Sequence, residues 1–184
     1  QNRAGDAGEL AVIYDRKDRF LAAGLFDPAS PICFRVLHAG KPVTIDREWW
    51  AARLARTIER RSALFDGQTT GYRVINGESD GWPGLVLDRY DTTLVLKVYT
   101  AAWLPRMEAM VELIQKRLTP ERIILRLSRN IQRAARLNTP HGIGPGKTPV
   151  ESEDRNAAAG DKSRSPIAAA VTVGFPAVRQ GGAA

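Results

Sequence analysis

Between Tyr72 and Tyr90 the chain reads Tyr-Arg-Val-Ile-Asn-Gly-Glu-Ser-Asp-Gly-Trp-Pro-Gly-Leu-Val-Leu-Asp-Arg-Tyr. Two apolar runs, Tyr72 to Ile75 and Leu85 to Leu87, flank a dense cluster of turn formers, and a third run, Leu94 to Tyr99, follows at once. Pro83-Gly84 suits the middle of a type II turn, where proline presets φ and glycine supplies the positive φ that the next position needs. This stretch therefore predicts the corner of a small antiparallel sheet.

The segment that follows extends the unit. Leu104, Met107, Val111, Ile114 and Leu118 recur at three and four residues, which predicts a helix from about Trp103 to Leu118 with those side chains in a core. Thr119-Pro120 ends it, and Arg122 to Leu127 reads as a further strand. Earlier, Asp46 is a good cap for a helix, in which Trp50, Leu54 and Ile58 form an apolar stripe. Still earlier, Glu9 to Tyr14 and Phe20 to Phe26 are split by Asp15-Arg-Lys-Asp-Arg19, the pattern of a hairpin. Asp27-Pro-Ala-Ser30 turns the chain into a third strand at Ile32 to Leu37, with Cys33 read as a buried strand residue. Three short strands cannot close a barrel. From Asn138 onward no periodicity survives, and 138–184 reads as a disordered tail. The fold class expected is α+β: a partial β unit over 1–45, a basic linking helix over 46–68, and a small mixed sheet domain over 69–137.

Composition bounds the partners. The formal net charge is +7, which favours an anionic partner, nucleic acid being the usual one. Arg53, Arg56 and Arg60 share one helical face, read either as a solvated surface or as a set of phosphate contacts. Arg129, Arg133 and Arg136 share another if the chain is helical after Ser128, and the same two readings apply. Lys17 and Arg19, at the hairpin tip, are secondary candidates. No apolar run approaches the roughly 20 residues of a membrane span, and the polar start shows no signal peptide. A cytoplasmic protein without a membrane partner is the expectation.

Other chemistry is weakly supported. Gly144-Pro-Gly-Lys-Thr148 invites a phosphate-loop reading, but the first glycine of that motif would fall at His141. His38 and His141, with one cysteine, make a poor metal set. Glu78 and Asp80 sit in a glycine-rich turn and read as backbone caps rather than as an acid–base pair. No catalytic, cofactor-binding or metal-binding residue is assigned.

The Tyr72–Tyr90 block resembles the signature of bacterial class I SAM-dependent large-subunit rRNA methyltransferases of the cytosine-C5 type. A second block, Arg19-Phe-Leu-Ala-Ala-Gly-Leu-Phe-Asp-Pro-Ala-Ser-Pro-Ile-Cys-Phe-Arg-Val-Leu37, is similar to the end of that family's PUA domain. The resemblance covers about residues 5 to 137. It implies a PUA domain followed by a central sheet domain in which Gly77, Asp80, Gly81, Pro83, Gly84, Asp88 and Arg89 are structural. It also implies large-subunit rRNA as partner, S-adenosylmethionine (SAM) as the cofactor of the full-length family, and a homodimer as one form of assembly.

This sequence departs from the family's pattern after residue 137. A class I methyltransferase needs a strand, a glycine-rich loop and a helix so that backbone can approach the cofactor. No such order follows, and no cysteine lies beyond Cys33 to add to the base. The chain, which opens on Gln1, is therefore expected to be the RNA-recognition portion of such an enzyme and to bind no SAM itself. Two alternatives stay open: a free-standing basic RNA-binding module, and a truncated remnant without function.

Overall fold

The structure is a computed structural model that describes residues 5–132 and the backbone of 170–174. Its first layer is an antiparallel sheet of β1 (Leu10–Tyr14), β2 (Phe20–Phe26) and β3 (Phe34–Ala39), in that spatial order. The hairpin tip closes on one carboxylate: Asp15 accepts from the backbone N–H groups of Lys17 at 2.8 Å and Arg19 at 2.9 Å. Cys33 departs from expectation. The Asp27 N–H donates to the Cys33 carbonyl at 2.8 Å, closing a loop that delays β3 to Phe34 and leaves the thiol exposed.

Helix α1 (Arg47–Ser62) follows, with the Asp46 side chain accepting from the Trp49 N–H at 2.8 Å as its cap. The second layer is a five-stranded sheet in the order β4 (Gly71–Asn76), β5 (Leu85–Tyr90), β6 (Thr93–Val98), β7 (Arg122–Leu127) and β8 (Ala170–Gly174). All its pairings are antiparallel except β6 with β7. A parallel pair needs a crossover, and α2 (Met107–Leu118) provides it.

The turn from β4 into β5 has the conformation read from sequence. Gly84 has φ +69° and the Leu85 N–H donates to the Trp82 carbonyl at 3.0 Å, as a type II turn centred on Pro83-Gly84 requires. Before it, Gly77–Asp80 makes one 3₁₀ turn that Gly81 ends at φ +76°. The helix expected from Trp103 is instead 3₁₀ over Ala101–Arg106 and α only from Met107. Pro105 lies inside that first turn, and without an N–H it cannot carry the regular ladder. Thr119 ends α2 in the left-handed region, at φ 43°.

Both helices pack on one face of the second sheet, and the first sheet joins the same core through Leu25 and Leu37. Leu87, Leu96 and Leu125 lie side by side across three strands on this face, as do Leu85, Val98 and Leu127. Three tryptophans from separate elements meet at the seam. Trp50 of α1 lies 5.2 Å from Trp82 and 5.4 Å from Trp103, ring centre to ring centre. Buried rings of this size each contribute on the order of 4–6 kcal/mol, taken as an upper bound from area. The indole N–H of Trp82 donates to Thr57 Oγ1 at 3.1 Å and that of Trp103 to the Pro83 carbonyl at 2.8 Å.

The sequence reading placed no regular element in 138–184, yet β8 lies within it, paired along β7 from Arg122 to Arg126. The remainder of that stretch, including the phosphate-loop look-alike and His141, lies outside the described residues. No helix among the described residues is long and apolar enough to cross a membrane.

Candidate nucleic-acid interface

The α1 arginines do not act alike. Arg53, half-buried, donates through Nη2 to the Leu37 carbonyl at 2.7 Å and through Nη1 to the Gly81 carbonyl. Its guanidinium also lies 4.1 Å from the centre of the Trp49 ring. Burial, with the charges of Arg56 and Arg60 nearby, lowers its pKa to about 10. Arg53 thus ties β3 to the turn before β5, a structural role that helical periodicity could not separate from a phosphate contact.

Arg56 and Arg60 face outward beside it. With Leu37, Thr57, Asp80 and Gly81 they border an open groove of about 720 Å³. Asp80 is 3% exposed as a side chain and organises the floor. It accepts from the Asn76 N–H at 2.7 Å, pairs with Arg61, and stands 3.3 Å from Arg60. Arg61 carries this link though sequence reasoning did not select it; a second bond from its Nε to the Arg73 carbonyl at 2.9 Å fixes it. Glu78 accepts from the Gly84 N–H at 3.0 Å. Both carboxylates therefore cap backbone, as a turn cluster of this composition implies.

The other candidates sit elsewhere. Lys17 is exposed at the hairpin tip, and Arg19 Nε is paired with Asp15 at 2.7 Å while remaining 75% exposed. Arg129 opens a helical turn after β7, where the Ile131 and Gln132 N–H groups bond the Ser128 carbonyl. It borders a second depression with Lys97, Tyr99 and Arg126. Arg133 and Arg136 lie outside the described residues.

The glycine-bearing turns do not fit a SAM cradle. Gly77, Gly81 and Gly84 lead into strand β5 rather than a helix N-terminus, so no row of free N–H groups is presented. The space beside two of these glycines is filled as well. A Cβ at Gly84 would meet Thr100 Cγ2 at 2.9 Å, and one at Gly81 would meet the Arg53 guanidinium.

The outward face of the second sheet was also missed. Its signal is a period of two: Val86 and Asp88 on β5 alternate with buried Leu85 and Leu87, and Val95, Lys97 and Tyr99, along and just past β6, alternate with buried Leu94, Leu96 and Val98.

Comparison with known proteins supplies the context. Residues 1–39 match the PUA-like domain family. The chain is 57% identical over 148 residues to a ribosomal RNA large subunit methyltransferase of Deinococcus radiodurans, covering 77% of this chain and 36% of that protein. It is 31% identical over 148 residues to ribosomal RNA large subunit methyltransferase I of Aliivibrio fischeri strain ES114, covering 80% and 37%. The chain thus spans about a third of the length of these relatives. Among solved structures, a candidate SAM-dependent methyltransferase from Streptococcus mutans aligns with a TM-score of 0.59 at 14% identity, over 68% of this chain and 34% of that one. A candidate methyltransferase solved with SAH aligns with a TM-score of 0.61 at 15% identity, over 70% and 34%. At such identities the likeness is one of fold.

Proposed function

We propose that this chain is the RNA-recognition portion of a SAM-dependent methyltransferase that modifies cytosine C5 of large-subunit rRNA. One observation carries the reading: 57% identity across 148 residues to an rRNA large-subunit methyltransferase, of which the chain spans 36%. The geometry fits the role. A groove bordered by Arg56 and Arg60 lies where α1 meets Leu37 of β3 and the Asp80-Gly81 turn, and there phosphates of a folded RNA could be gripped by shape and charge. SAM binding and base activation are assigned outside this chain, because among the described residues the turn glycines Gly81 and Gly84 are closed by side chains, and no cysteine follows Cys33.

The functional units proposed are a PUA-like unit over 1–45, a basic helix over 46–68 and a central sheet domain over 69–137. One observation favours a second reading, a free-standing RNA-binding module: Ala170–Gly174 pairs onto β7, so sequence beyond 137 joins the sheet.

Isothermal titration of the 184-residue chain with SAM, and in parallel with a structured rRNA hairpin, tests the first reading. RNA binding with a steep salt dependence and no SAM binding is expected. SAM binding would place the cofactor site within this chain, and a hairpin that failed to bind would remove the recognition role. Unfolding of the whole chain as one cooperative unit would favour the free-standing module.

A further inference from the structure

Among the described residues the second sheet has helices on one face only, and the other face has a chemistry of its own. Register places Arg73, Lys97, Arg122 and Arg126 on it, against the single carboxylate of Asp88 among the outward residues of β4 to β7. Asp88 is buried and holds two of these cations in place, accepting from Arg73 Nε at 2.8 Å and Lys97 Nζ at 2.8 Å. An ammonium has three donors and a guanidinium five, so both retain donors beyond the Asp88 contact. Tyr90 and Tyr99 stand at opposite ends of the face, each 56% exposed. Along β6 the distance from Thr93, which opposes Tyr90, to Tyr99 is about 20 Å at the rise of a strand.

Two depressions make this face a track rather than a scatter of charges. One, of about 520 Å³, is bordered by Arg73, Tyr90 and Lys97. The other, of about 270 Å³, is bordered by Lys97, Tyr99 and Arg126. Lys97 is common to both, so the basic groups run continuously from one tyrosine to the other.

The geometry points to a second RNA subsite here: a single-stranded segment lying across β5, β6 and β7, its phosphates on Lys97 and Arg126 and its bases stacked on Tyr90 and Tyr99. A basic groove with aromatic platforms is the recurrent solution for single strands, because every base has a π-face and the backbone is uniformly anionic. A protein partner fits less well, since the centres of protein interfaces are depleted of charge and lysine, arginine and aspartate occupy the centre here. This inference rests on reading the chain as an RNA-recognition segment, and it adds a site separate from the α1 groove.

The test uses the full chain with two probes, a single-stranded uridine octamer and a structured rRNA hairpin, followed by fluorescence anisotropy. Tyr90→Ala and Tyr99→Ala are expected to weaken octamer binding by about 5- to 150-fold each, as loss of one stacking platform does. Tyr→Phe at either position retains binding, and Arg56→Ala with Arg60→Ala leaves the octamer unaffected. Both tyrosines are exposed, so unchanged melting curves certify the fold of the variants. An octamer that binds the wild type no better than the double tyrosine variant, with the hairpin still bound, overturns this inference and leaves the recognition role standing. Failure of both probes removes both. Sedimentation velocity completes the test: self-association of the wild type that Tyr90→Ala and Tyr99→Ala abolish would assign the face to a second copy instead and overturn the RNA subsite.

Discussion

Thr100 donates its hydroxyl to Asp27 at 2.6 Å, and the two residues lie 73 positions apart in the chain. Both are buried, at 3% exposure each. Asp27 belongs to the turn between β2 and β3, and Thr100 caps the 3₁₀ segment after β6. Their bond therefore joins the PUA-like sheet to the second sheet. Thr100→Val keeps the side chain's shape and leaves a buried carboxylate without its donor, which costs about 1–3 kcal/mol. Urea unfolding of the variant is expected to show a lower midpoint with an unchanged slope. An unshifted midpoint would mean that this bond does not couple the layers.

Gly84 tests the turn that the Pro-Gly pair announces. Its φ of +69° disfavours any side chain, and an added Cβ would press on Thr100 Cγ2 at 2.9 Å. Gly84→Ala is expected to destabilise by about 1–3 kcal/mol. At Gly67 a Cβ would meet nothing within 4 Å and φ is not in the left-handed range, so Gly67→Ala is expected to be neutral or slightly stabilising. Thermal melts of the pair compare the two sites directly, and equal losses would contradict the assigned turn.

The arginines of α1 separate by role. Arg53→Ala removes donors from the Leu37 and Gly81 carbonyls and should lower thermal stability, by about 1–3 kcal/mol. Arg56→Ala changes an exposed side chain and should leave the melting temperature within about 2 °C, since surface changes typically cost under about 0.5 kcal/mol. In hairpin RNA binding the order reverses. Arg56→Ala, and Arg60→Ala beside it, should each reduce the slope of log affinity against log salt by about one. An unchanged slope in both would remove these side chains from the phosphate contacts.

Asp88 predicts a pH dependence. Burial alone would raise its pKa, but hydrogen bonds from Arg73 and Lys97 outweigh it and hold the carboxyl below the usual value of 3.8. A carboxylate depressed in the folded state contributes stability that is present above its unfolded pKa and is lost as pH falls through the folded one. Asp88→Asn should therefore lower stability at pH 7 and flatten the loss of stability below about pH 4. Parallel acid titrations followed by circular dichroism would measure this, and identical acid limbs would assign the sensitivity to other carboxylates.

Much of the fold is local, and local structure is legible. The Pro83-Gly84 turn, the Asp46 cap and the apolar stripes of α1 and α2 each follow from steric and hydrogen-bonding rules within a few residues. Glu78 and Asp80 are legible as backbone caps for the same reason. The start of α2 was misplaced because Pro105 and the burial of Trp103 act together, and the second factor depends on the core. β8 could not be read because its short Ala170–Gly174 run gains meaning only from the edge of β7.

For the candidate interface, composition and spacing determined that basic side chains would line helix α1 and follow β7. They could not say which arginines along the groove are held by backbone and which stay open to a ligand. Arg53, Arg56 and Arg60 have the same periodicity, yet the carbonyls that hold Arg53 come from Leu37 and Gly81, 16 and 28 residues away in the chain. The track of Tyr90, Lys97, Tyr99 and Arg126 likewise exists only once β5, β6 and β7 are in register. Helix and turn preferences are properties of neighbouring residues, whereas whether a cation remains open to a ligand depends on which distant backbone folds against it.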